Sequence, residues 1–124
     1  MNNWLIAAAA LAALTTLVHF FVGGRQVAKP LLETGEINSL VKFTHYFCWH
    51  IVTIALAAMA IGLAYAGLNP GGRDVAIVMV GLAAAIAVWN FAMNARHRLK
   101  ASRHPQFVFF IPIVALAMPG LLQA

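Results

Sequence analysis

Four long apolar stretches, Trp4–Val22, Phe43–Leu68, Val75–Ala95 and Phe107–Leu122, fill most of this 124-residue chain. A helix needs ~17–25 predominantly apolar residues to cross the hydrocarbon core of a bilayer, and each stretch reaches or approaches that length. Nothing of comparable size remains to build a soluble domain. In lipid an isolated segment must satisfy its own backbone hydrogen bonds, which a helix does. The expectation is therefore an all-α chain: one integral membrane domain, a four-helix bundle with spans at about 4–22, 43–68, 75–95 and 107–122. Charged residues make up only 9% of the chain, against about 25% in soluble domains, which points to lipid as its solvent.

An even number of spans puts both termini on one side, together with the 68–74 connection. That side carries Arg73 alone. The 23–42 and 96–106 connections carry Arg25, Lys29, Lys42, Arg96, Arg98, Lys100 and Arg103. In short loops Lys and Arg mark the cytoplasmic side, so both termini are expected to face out. The pI near 10.2 then reflects topology. Arg96, Arg98, Lys100 and Arg103 are placed to meet anionic lipid headgroups, and no nucleic-acid partner is expected. The first apolar run has no positive n-region, so it reads as a retained helix with its N-terminus out and not as a signal peptide. Cys48 is the only cysteine, so no intrachain disulfide can form.

Pro70, Gly71 and Gly72 predict a tight turn, making the second and third spans antiparallel neighbours. The 23–42 connection opens with Gly23-Gly24, contains Pro30, and mixes Val27, Leu31, Leu32, Ile37 and Leu40 with Lys29, Glu33 and Glu36. That pattern suits either a segment lying in the headgroup region or an ordinary loop leading into a helical start of the second span. Pro105, Pro112 and Pro119 predict a kinked fourth helix. Small residues four apart (Ala9 and Ala13, Ala58 and Gly62, Gly62 and Ala66, Gly81 and Ala85) favour close helix packing.

At ~1.5 Å rise per residue, His19 lies about 9 Å from the basic boundary at Arg25, His50 about 12 Å from Lys42, and Asn90 about 9 Å from Arg96. Three polar groups on three helices thus share one level. Helical spacing extends it into three stripes: Thr15, Thr16 and His19; Tyr46, His50 and Thr53; Asn90, Asn94 and His97. His45 lies about 140° around the helix from His50 and shares a face with Trp49. The aromatic residues gather in the same half, leaving Trp4 and Tyr65 in the other, whereas an ordinary aromatic belt occupies both interfaces.

Intramembrane Asn, Thr and His bind helices to one another, while an intramembrane His also raises a site hypothesis. Two neutral imidazoles, His19 and His50, can ligate a haem b iron axially, with Tyr46 and Asn90 at the same level and Arg25 near the propionates. A quinone needs less: a hydrogen bond from His19 or His50 to a ring carbonyl. A structural zinc site would need four ligands, and Cys48 and His50 lie on different faces of their helix. The apolar stretches contain no Asp or Glu, which disfavours proton-coupled transport. Ser39 and Ser102 have no base arranged beside them, which leaves nucleophilic hydrolysis unsupported.

The run His19-x3-Gly23-Gly24-Arg25-x4-Pro30-Leu31-Leu32, followed by Trp49-His50-x2-Thr53, resembles a pattern in small four-span bacterial inner-membrane proteins without assigned function. The resemblance implies a multi-pass protein of the bacterial inner membrane and carries no chemistry. The expected role is non-catalytic, an accessory or packing subunit of a larger membrane assembly or of a homo-oligomer. The alternative is a haem- or quinone-binding protein built on His19 and His50.

Overall fold

The computed structural model describes residues 1–123, and among them the fold is all-helical. Helix α1 spans Asn3–Leu17 and passes without a break into a π-helical segment, Val18–Ala28, and then into a short α2, Lys29–Glu33. Together they form one continuous rod of 31 residues. Helices α3 (Ser39–Leu68), α4 (Arg73–Arg96) and α5 (Phe107–Leu122) complete the bundle. The rod, α3 and α4 are long and apolar enough to cross a membrane, whereas α5 has 16 residues and extends only about 24 Å.

The first rod outruns the span expected from its composition. Gly23-Gly24 does not end it, and neither does Pro30, a residue without the N–H that an interior helical position would donate. Only residues 34–38 are non-helical between the rod and α3. The Lys42 ammonium straps this short loop by donating to the carbonyls of Leu32 and Thr34. Asn38 ends the loop as a side-chain cap, its Oδ1 accepting from Val41 N–H at 3.0 Å, which satisfies one of the orphan donors of the first turn. Helix α5 runs unbroken through Pro112 and Pro119.

The four helices form a ring, with α1 beside α3 and α5, and α4 beside α5 and, more sparingly, α3. Their buried positions recur every three or four residues: Leu5, Ala8, Ala12 and Thr15 on α1; Leu56, Met59, Leu63 and Ala66 on α3; Ala76, Val80, Ala83 and Ala87 on α4; Phe110, Ile113, Ala117 and Gly120 on α5. This 3–4 alternation is the pattern of a helix-bundle seam. It differs in part from the strict four-residue spacing read from the sequence. Ala13, Ala58, Gly81 and Ala85 face outward; the small residues that let the helices approach are those on the seam.

Both termini meet the α3–α4 turn at one end of the ring. Asn2 N–H donates to the Gly67 carbonyl at 2.7 Å, and Asn2 Nδ2 donates to the Gly120 carbonyl at 2.8 Å. A single asparagine thus ties α1 to the last turns of α3 and α5, while its Oδ1 accepts from Leu5 N–H as the α1 cap. The approach requires glycine, since a Cβ on Gly67 would lie 2.7 Å from Ile6 Cδ1 and 3.2 Å from the Ile6 backbone nitrogen. Outside the seam the surface is apolar: Ile54, Ile61, Val78 and Val88 are all more than 60% exposed, a surface matched to lipid.

Candidate functional site

The opposite end of the bundle, which carries most of the basic residues, is built from larger side chains and contains two separate polar nodes. The first joins the rod to α3. The His19 ring lies flat on the Trp49 indole, with centroids 3.9 Å apart and planes 19° from parallel, and its Nε2 is 3.3 Å from the Trp49 carbonyl. One turn on, a Cβ at Gly23 would lie 2.7 Å from Trp49 Cη2. His19 and Gly23 therefore form a slot for one tryptophan, which explains the His19-x3-Gly23 spacing by packing.

The second node joins α4 to the start of α5. Asn90 Nδ2 donates to Gln106 Oε1 at 3.2 Å, and Asn90 Oδ1 accepts from Phe107 N–H at 3.1 Å. The backbone N–H groups of a helix's first turn have no partner inside the helix, so the asparagine completes α5 from a neighbouring helix. One turn away, Asn94 Nδ2 donates to the His104 carbonyl at 2.8 Å. The connection between them closes through Leu99 N–H to the Asn94 carbonyl, with Arg98 in the left-handed region at φ 52°.

The shared level of His19, His50 and Asn90 is thus divided. His19 and His50 belong to the rod–α3 side, and Asn90 is turned to the α4–α5 corner. The threonine stripes do not cross between helices: Thr15, Thr16 and Thr53 donate to the carbonyls of Leu11, Ala12 and Trp49, four residues back on their own helices. His45 Nδ1 lies 2.8 Å from the Val41 carbonyl of its own helix, and His97 and Arg25 are exposed.

Between the π-helical segment and α3 lies a groove of about 320 Å³. Phe20, Gly24 and Ala28 form one wall, Tyr46, Trp49 and His50 the other, and Lys29, Leu32 and Glu33 the rim. Tyr46 and His50 meet edge to face, centroids 4.6 Å apart, as residues one turn apart on a helix do. Lys29 and Glu33 form an exposed i,i+4 ion pair at 3.8 Å.

Axial haem ligation needs both imidazoles presented to one iron. His19 instead stacks on Trp49 and turns Nε2 to its carbonyl, while His50 lines the groove that His19 does not. As placed, the two rings are not directed at one point, and Arg25 is not part of the groove. Sequence reasoning missed Trp49 as the partner of His19 and Gln106 as the partner of Asn90. It also missed Asn2, although an asparagine directly before an apolar helical run is an N-cap signal. No family model matches the chain, and no curated protein or solved structure matches it either.

Proposed function

We propose that this chain is a non-catalytic membrane protein, an accessory or packing subunit of a larger membrane assembly or of its own oligomer, with both termini outside the bacterial inner membrane and the Arg96–Arg103 connection at its inner, anionic headgroups. The carrying observation is how the buried polar groups are used. Among the described residues the buried polar side chains are Thr15, Asn90 and Asn94, and each makes a hydrogen bond within the chain, with Asn94 Oδ1 left buried and unpartnered. Most of this buried polar capacity joins parts of the chain to one another.

Support for a protein partner comes from the exposed aromatics. Phe43, Phe47, Trp89 and Phe91, at 59–72% exposure, project from α3 and α4, the pair with the thinner mutual contact. Aromatics serving lipid alone would belt both interfaces. A photo-crosslinking residue at Trp89, compared with one at Val78 in the other half of α4, tests this in native membranes. A discrete adduct of fixed mass from position 89 alone supports a subunit role, and lipid adducts from both positions refute it. The orientation rests on the basic-residue bias. In a Cys48→Ala background, Ser102→Cys is expected to resist a membrane-impermeant maleimide applied to spheroplasts, while Asn69→Cys is expected to react.

A further inference from the structure

The glycine pair in the middle of the rod does two different things. Gly23 is required by the close approach of Trp49. At Gly24 an added Cβ would meet nothing within 4 Å, so packing does not account for it. Gly24 lines the groove between Phe20 and Ala28, where the absence of a side chain keeps the space open. The wall itself is π-helical over Val18–Ala28, with Lys29 N–H reaching back to the Gly24 carbonyl. π-helical turns are rare and concentrate at functional sites.

We propose that this groove binds the head of a lipid-soluble quinone, independently of any subunit role. Three observations select that class. The walls are aromatic, with Phe20, Tyr46 and Trp49 around the space, and suit a flat ring. Two hydrogen-bonding side chains of the lining have no protein partner: among the described residues no protein group bonds the Tyr46 hydroxyl or the His50 ring, so each has an O–H or N–H to donate to a ring carbonyl. The rim carries both signs, with Lys29 and Glu33 3.8 Å apart in an exposed pair, and so no net charge. About 320 Å³ falls at the lower end of the ~300–1,000 Å³ of small-molecule sites, a size for one substituted ring with the start of its tail.

The test uses the full chain in mild detergent and a benzoquinone bearing one isoprene unit as probe. Trp4→Phe and Trp89→Phe leave Trp49 as the only tryptophan of the three, so quenching of its emission reports the groove. Saturable quenching is expected. Tyr46→Phe, which keeps the ring and removes only the hydroxyl, is expected to weaken it about tenfold, the loss of roughly one hydrogen bond. Gly24→Leu, which fills the space, is expected to abolish it, while Gly81→Leu on open surface leaves it unchanged. Should Gly24→Leu fail to fold by circular dichroism, Tyr46→Phe decides. Linear, unsaturable quenching, or saturation equal in Tyr46→Phe and the parent, overturns the proposal. So does displacement of the probe by short-chain phosphatidylglycerol at equal concentration, which assigns the groove to a phospholipid.

Discussion

The two ends of this bundle are made from the same four helices and close by opposite means. At the terminal end α1 presents Ala8, Ala9 and Ala12, all buried, and Gly67 and Gly120 let backbones come within hydrogen-bonding distance of Asn2. At the basic end the same rod presents Phe20 and Phe21, both about half exposed, and its turns widen to the π form. Small side chains gain van der Waals contact along the whole seam; large ones hold the helices apart and leave discrete nodes, His19 on Trp49 and Asn90 on Phe107 N–H, to fix the remaining geometry. The groove beside His50 lies at the second kind of end, and another, lined by Asn2, Trp4, Gly67, Pro70 and Arg73, opens at the first. Side-chain size along one rod thus distinguishes an end closed by backbone contacts at Asn2 from one whose groove is walled by Phe20, Tyr46 and Trp49.

This contrast is most exposed to a change at Gly67. Leucine there would drive a side chain into Ile6 and its backbone, and overpacking of that severity costs about 3 kcal/mol. Gly67→Leu should lower the thermal unfolding midpoint in detergent sharply, whereas Gly81→Leu, which meets open space, should leave it nearly unchanged. Equal shifts in the two variants would mean that the terminal end is not the tight one. The next effect belongs to the basic end. Asn90→Ala leaves Phe107 N–H without its partner, and an unpaired buried donor costs about 2 kcal/mol. Hydrogen exchange should accelerate at the first turn of α5 and not at α1. Asn2→Ala removes a cap and the link to Gly120 for about 1 kcal/mol, with the loosening read as faster exchange in the first turn of α1.

Run length and composition are enough to read α3 and α4, because a bilayer core imposes a minimum on apolar length; α5, with 16 residues, is shorter than that minimum and is marked by its apolar composition. The rod is harder. Gly23-Gly24 and Pro30 read as punctuation by the rules of soluble chains, but where water is scarce a broken helix strands its own N–H and C=O groups, and the glycines stay helical. The polar level was legible in height and not in direction. Rise per residue places His19, His50 and Asn90 at one depth, while the neighbour each one faces depends on the ring order of the helices and on the angle per residue, which the π segment alters. Helical spacing gives Trp49 a face in common with His45; its slot between His19 and Gly23 follows from the packing of the π-helical segment on α3.

The smallest effect separates structure from ligand duty at His19. The imidazole makes two contacts with Trp49, a stack and a hydrogen bond to its carbonyl. Phenylalanine preserves the first and drops the second. Interhelical hydrogen bonds in membrane bundles average about 0.6 kcal/mol, so His19→Phe should lower the unfolding midpoint only slightly. His19→Ala loses the stack as well, ~0.5–1.5 kcal/mol more for an aromatic pair, and leaves Trp49 supported by Gly23 alone. The ordering parent, Phe, Ala is the signature of a packing residue, since phenylalanine rescues most of what alanine loses. A residue held for its ring nitrogen would behave otherwise: Phe and Ala would fall together, and the slot around Trp49 would no longer account for the histidine.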